Sequence, residues 1–252
     1  MKGERLRQHG VFVALRRGET RPRRFQVIGE RCSGTNYLHH LVRKNLPLRP
    51  SSALGWKHGF PSAVAVAPDL LVMVVARRAD DWARSLYARP WHANPGITKH
   101  GFPEFIRSAW RTKVRLDVRA RLAPWDARMG QPLQWDRHPL TGRSFGNIFM
   151  LRNAKLSAHM GYMFRADNVL VVPLERVAED PERFITETAE AFALAPRSPF
   201  RPADGTYGHH MFWRKRDDEI DLPPETLSDE DRAFMLSKLD MKQERRFGYT
   251  YE

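Results

Sequence analysis

Three short constellations in this chain carry residue types that bind anions or move protons. The first is Gly29-Glu30-Arg31-Cys32-Ser33-Gly34-Thr35-Asn36. A glycine-bearing turn that opens a helix presents unbonded N–H groups and the positive end of the helix dipole. The Ser33 and Thr35 hydroxyls add donors, so the turn suits a phosphate or a sulfate. The nucleoside-triphosphatase pattern needs a lysine after its second glycine, and here Thr35 follows Gly34 directly. A γ-phosphate clamp is therefore not expected, and the same residues also make an ordinary helix N-terminus.

The second constellation is Arg77 with Asp81 and Ser85, each four residues on from the last. An arginine leaving the carboxyl end of a parallel strand lies where such sheets bind ligands, and its planar fork grips phosphate. The alternative is a surface arginine in an exposed ion pair with Asp80 or Asp81. The third is Lys57-His58. An imidazole with a reference pKa near ~6.5 can take a proton from a hydroxyl at neutral pH. Lys57 can stabilise charge that builds on a leaving oxygen. The pentapeptide Lys-His-Gly-Phe-Pro recurs at 99–103, which makes His100 a competitor. His100 follows no strand-like run, so His58 is the candidate base, against the plain alternative of a loop histidine. The pairs His39-His40 and His209-His210 lack companion ligands at metal spacing, and adjacent helical positions diverge by about 100°, so no metal site is expected.

These residues need elements to position them. Phe25-Gln26-Val27-Ile28 is a short β-prone run that ends in Gly29, and a helical pattern over 37–45 follows the turn and stops at Pro47. Residues 53–57 form a candidate second strand. The run 70–76 is the clearest strand and feeds a helix over 80–88. The run 169–172 is another strand, followed by a helix that Asp180-Pro181-Glu182 opens. Near-continuous apolar strands alternating with helices predict an α/β fold with a parallel β-sheet covered on both faces. Residues 1–24 are arginine-rich and read as an arm or a short leading strand. Between 89 and 150 the pattern changes to one of tryptophans, prolines and arginines, including Trp91, Trp110, Trp125 and Trp135. This stretch reads as an insertion within a single 1–252 domain, with a helix over 102–122. Arg107, Arg111, Arg115 and Arg119 recur every four residues on that helix. Like charges at this spacing cost helix stability, so an anionic partner rationalises them, as does a solvated face. A last helix is capped by Ser228, with Asp229, Glu230 and Asp231 in its first turn.

The chain has 252 residues, a formal net charge of +13 and one cysteine, Cys32. No intrachain disulfide can form, and a reducing compartment is the simpler expectation. No apolar segment follows the basic residues at the start, and the longest apolar stretch, 62–76, is broken by Pro68 and Asp69. Neither a signal peptide nor a membrane span is expected, and the protein is expected to be cytoplasmic. The positive charge implies an anionic partner without choosing one.

Taken together, the motifs resemble the sulfotransferase family. Ser33-Gly34-Thr35 before Tyr37-Leu38 is similar to the family's 5′-phosphosulfate loop, and Arg77, Asp81 and Ser85 to its 3′-phosphate element. Val171-Val172-Pro173-Leu174-Glu175 followed by Asp180-Pro181 looks like a further strand and helix of the family, and Glu244-Arg245-Arg246-Phe247-Gly248-Tyr249 is similar in style. The resemblance covers about half the chain and leaves 89–168 unaligned. It implies a P-loop nucleotide-binding-like three-layer fold and 3′-phosphoadenosine-5′-phosphosulfate as donor, with no metal. The acceptor is a hydroxyl, on a small molecule or a carbohydrate such as an acidic glycan or lipid-linked sugar. The donor contacts implied are Arg31, Cys32, Ser33, Gly34, Thr35, Asn36, Arg77 and Ser85, and the catalytic pair is His58 and Lys57. Cys32 stands where the family carries a loop Lys or Arg, a charge that Arg31 or Lys57 would have to supply. Leu174 stands in place of a tyrosine. The run Trp213-Arg214-Lys215-Arg216 is a further candidate 3′-phosphate contact. Two other classes stay open. A basic nucleic-acid-binding protein has the charge but no recognisable signature, so no nucleic acid is expected as partner. A phosphotransferase of related fold lacks its loop lysine.

Overall fold

The computed structural model describes residues 4–9, 12–94, 96–114, 127–203 and 222–251, with side chains from residue 12 onward. Trp213–Arg216, His209, His210, Arg115, Arg119 and Trp125 lie outside the described residues. The chain divides into two compact units, Met1–Arg78 with Lys155–Tyr207 and Asp240–Glu252, and Ala79–Ala154 with Gly208–Leu239.

The first unit is an α/β structure built on a mixed six-stranded sheet. Its strands are β1 (Glu4–His9), β2 (Phe12–Arg17), β3 (Arg24–Ile28), β4 (Arg49–Pro50), β5 (Leu70–Ala76) and β6 (Asn168–Pro173), in the order β1-β2-β6-β5-β3-β4. Strands β3, β4, β5 and β6 are parallel. Every residue of β5 and β6 is buried, as expected of strands covered on both faces. Helices α1 (Thr35–Asn45) and α7 (Pro181–Phe192) cover one face, where Leu38, Leu41, Val42, Phe184 and Phe192 join Val27, Met73, Val75 and Val172 in one core. Burying each such side chain contributes about 1.5–3 kcal/mol. Asp180 caps α7 by accepting from the Arg183 N–H at 3.0 Å.

Two expectations about the sheet are corrected. Strands β1 and β2 pair antiparallel, and β2 pairs antiparallel with β6, so the sheet is mixed. Phe12 and Ala14 alternate into the core, and the Phe12 ring meets Phe184 edge-on at 5.9 Å. That burial overrides the arginine-rich composition. Residues 53–57 form a turn, not a strand. Their backbone groups bond locally and to the buried Gln26, whose amide donates to the Gly55 carbonyl (2.8 Å) and accepts from the Leu54 N–H (2.9 Å). The short edge strand β4 pairs with β3 instead.

In the second unit, α2 (Ala79–Ala88), α3 (Gly101–Arg107) and α8 (Asp229–Lys238) surround an aromatic core. Tyr87 packs edge-on against Phe102 and Phe105, and Phe105 against the fully buried Trp110. The helix expected over 102–122 ends at Arg107. Ser108 is extended, and the Trp110 N–H bonds the Phe145 carbonyl at 2.9 Å, because burying Trp110 and Thr112 in alternation needs extended chain. Arg107 and Arg111 therefore share no helix face. Arg107 is paired with Asp231 (2.5 Å) and Glu230 (3.4 Å). Ser228 caps α8 as expected. Helix α4 (Ile148–Met160) contributes residues 148–154 to this unit and 155–160 to the first. The first unit also holds α5 (Tyr162–Arg165), α6 (Leu174–Glu179) and α9 (Met241–Arg246).

Candidate functional site

Strand β3 ends at Ile28 beside Val74 of β5. A Cβ on Gly29 would lie 2.4 Å from the Val75 carbonyl oxygen, so only glycine lets the chain leave the sheet here. The turn then uses left-handed backbone at Cys32 (φ 62°) and at Gly34 (φ 79°), the residue before α1. Gly34 offers α1 no side-chain cap, so the first-turn N–H groups keep their binding capacity. A Cβ on Gly34 would meet Leu174 at 2.3 Å, which places the residue that replaces the expected tyrosine against this turn. Ser33 is buried, and its hydroxyl makes no hydrogen bond among the described residues. Thr35 and Asn36 form the first turn of α1.

A second turn, at 56–59, is bonded to the first in both directions. The Gly29 N–H donates to the Lys57 carbonyl (3.0 Å), and His58 Nδ1 donates to the Gly29 carbonyl (2.6 Å). A carbonyl partner fixes the proton on Nδ1 and leaves Nε2 as the ring's lone-pair nitrogen. Burial, then the positive charges of Lys57 and Arg31, hold His58 well below the usual imidazole range, so the ring is neutral at neutral pH. The Trp56 ring stands edge-on to it at 5.3 Å. Lys57 reaches the first turn of α1, where Nζ donates to Asn36 Oδ1 at 2.5 Å. Lys57 thus sets an ammonium at a helix N-terminus. Arg31 does the opposite. It is 2% exposed, its guanidinium lies 4.8 Å over the Trp56 ring, and it is 3.7 Å from Glu30.

Behind both turns lies a group that the sequence motifs did not announce. Lys155 on α4 is fully buried, and its Nζ donates to Glu30 Oε1 (2.8 Å) and to the His58 carbonyl (2.7 Å). One helical turn on, the buried His159 donates from Nε2 to the Gly59 carbonyl (2.9 Å). Arg31, Lys57 and Lys155 bring three positive charges, and Glu30 pairs with Lys155 and Arg31. The neighbourhood favours an anion. The signal in the sequence was the i, i+4 pair Lys155 and His159 on one helix, within the unaligned stretch.

Arg77 follows β5 directly. With β3 and β5 adjacent and parallel, the 29–34 turn and Arg77 leave the same carboxyl edge of one sheet. Arg77 is half-buried and makes no hydrogen bond or ion pair among the described residues. Its neighbour Arg78 is engaged: its N–H donates to Glu175 (2.8 Å), its guanidinium donates to the Thr250 carbonyl (2.6 Å), and the Tyr249 hydroxyl donates to the same Glu175 (2.8 Å). In the second unit, Asp81 is paired with Arg84, and Ser85 is half-buried on α2. His100 is exposed and precedes α3 in that unit. Among the described residues no group of three His, Cys, Asp or Glu side chains is arranged to hold a metal, and no helix is long and apolar enough to cross a membrane. No family model, curated protein or solved structure matches the chain.

Proposed function

We propose that the chain is a sulfotransferase that moves the sulfuryl group of 3′-phosphoadenosine-5′-phosphosulfate to an acceptor hydroxyl, on a P-loop-like framework. The observation that carries the reading is the pair of hydrogen bonds between the turns, which joins a helix-N-terminal anion cradle to an imidazole with Nε2 available. Ser33, the first turn of α1 and Lys57 supply donors for the phosphosulfate. Arg77, at the same sheet edge, supplies a fork for the 3′-phosphate. In the reaction the acceptor oxygen bonds to sulfur as the bond from sulfur to the bridging oxygen breaks. The hydroxyl proton passes to His58 Nε2, and the electron pair leaves on the bridging oxygen of adenosine 3′,5′-bisphosphate, next to the Lys57 ammonium. Glycans, lipid-linked sugars and small alcohols are the acceptor classes to try.

The test is to incubate the protein with labelled donor and acceptor panels, then to measure adenosine 3′,5′-bisphosphate release and sulfated product by mass spectrometry. His58→Ala should abolish transfer while leaving nucleotide binding. Arg77→Ala should weaken calorimetric binding of adenosine 3′,5′-bisphosphate about 10- to 100-fold, the worth of a charge-assisted hydrogen bond. Nucleotide binding that ignores Arg77→Ala, together with salt-sensitive binding to DNA, would instead mark a nucleic-acid binder.

A further inference from the structure

The fully buried ammonium of Lys155 is a costly thing to keep in a core, since an apolar side chain of the same length would fill the space without desolvating a charge. What it bonds is therefore informative. On α4, positions 155 and 159 share one face, and their side chains take two consecutive carbonyls of the 56–59 turn. Lys155 donates to His58 O at 2.7 Å, and His159 to Gly59 O at 2.9 Å. The same Lys155 Nζ reaches Glu30 Oε1 at 2.8 Å, on the turn after β3. That turn carries the Gly29 carbonyl on which the His58 ring is hung. One ammonium thus ties both halves of the support together.

We infer that Lys155 and His159 are positioning residues, which lock the 56–59 turn so that His58 keeps its proton on Nδ1 and its lone pair on Nε2. If their bonds are lost, the 58–59 peptide can rotate, the ring slips from the Gly29 carbonyl, and the proton distributes between the two nitrogens. The structural part of this inference stands on the bonds alone. Its catalytic consequence rests on the sulfotransferase reading.

The test separates the two. The His58 ring tautomer is read by long-range proton–nitrogen correlation spectroscopy of the intact protein, without any substrate. The wild type should show a single form with hydrogen on Nδ1. Glu30→Gln combined with Lys155→Met removes the Lys155–Glu30 pair together, leaves Arg31 stacked over Trp56 beside a neutral amide, and should give a mixture of tautomers. His159→Leu should do the same, whereas His159→Gln, which keeps a donor for the Gly59 carbonyl, should hold the single form. In transfer assays the two mixed-tautomer variants should lose about 10- to 100-fold in kcat, part of the ~10²–10⁴-fold that general base catalysis contributes, with the KM for the donor changed less than about threefold. A wild-type ring protonated on Nε2 overturns the inference. So does a single Nδ1–H form that survives in both His159→Leu and the double variant. Tautomer changes as expected in a wild-type protein that transfers no sulfuryl group uphold the inference and sink the transferase reading.

Discussion

Acid should destabilise this protein in part through His159. The ring is fully buried, Nε2 is committed to the Gly59 carbonyl, and Nδ1 has no hydrogen-bond partner among the described residues. A second proton would place an unsolvated imidazolium near the Lys155 ammonium. Burial, opposed by the Gly59 bond and reinforced by Lys155, pushes the ring down to about 4, against ~6.5 in an unfolded chain. The folded state takes the proton less readily, so this contribution to stability is fully present above pH ~6.5. It is lost as the pH falls from there through about 4. The loss amounts to about 3 kcal/mol, a large part of the ~5–15 kcal/mol that holds a typical protein folded. His58 titrates with the same sign, so the wild type alone does not isolate the effect. The assay is urea unfolding, followed by tryptophan fluorescence from pH 7.5 to pH 4, on the wild type and on His159→Gln. Relative to the variant, the wild type should lose about 2–3 kcal/mol over this range. Parallel pH dependences in the two proteins would refute the argument.

Further outcomes follow from the same geometry. Transfer should be level from pH 6 to 8 and decline only in more acid solution, because His58 is held neutral well below the usual range. A rate limb centred at or above pH 6.5, and absent from binding, would point to another base. Gly34→Ala should destabilise by about 1–3 kcal/mol, from positive φ and from overlap with Leu174. Adding Leu174→Ala should recover the overlap part but not the backbone part, as chemical denaturation would measure. Glu30→Gln should cost about 3–5 kcal/mol, because it leaves the buried Lys155 and Arg31 without their carboxylate. A smaller loss than Gln26→Ala would show that the charge cluster is not the support described.

The parts of the fold that were legible in the sequence are those where local pattern and burial agree. The seven apolar residues of β5, the helix stop before Pro47 and the Asp180 and Ser228 caps all stand where the pattern puts them. The failures share a cause, since long-range partners outweighed composition. Arginines hid the alternation of Phe12 and Ala14, and the bonds from Gln26 turned a strand-like run into a turn. Trp110 drew out the chain that helical spacing had extended past Arg107. In the candidate site, Ser33 and Arg77 could be named from motifs because each follows a strand end, whereas Lys57 and His58 were named although the strand expected before them is a turn. Lys155 and His159 could not, since their meaning lies in two carbonyls about a hundred residues earlier.

The paired bonds of Gln26 have a consequence for how this protein can change in length. They anchor residues 54–55 to the sheet, so the connection from α1 to His58 falls into two stretches with separate tolerances. Before the anchor, Ser52 and Ala53 are exposed, and extra residues can loop out there without reaching the imidazole. Between Gly55 and His58 the span is held at both ends, and a single insertion would throw the ring off its carbonyl. Homologous chains should vary in length on one side of that amide and keep strict count on the other.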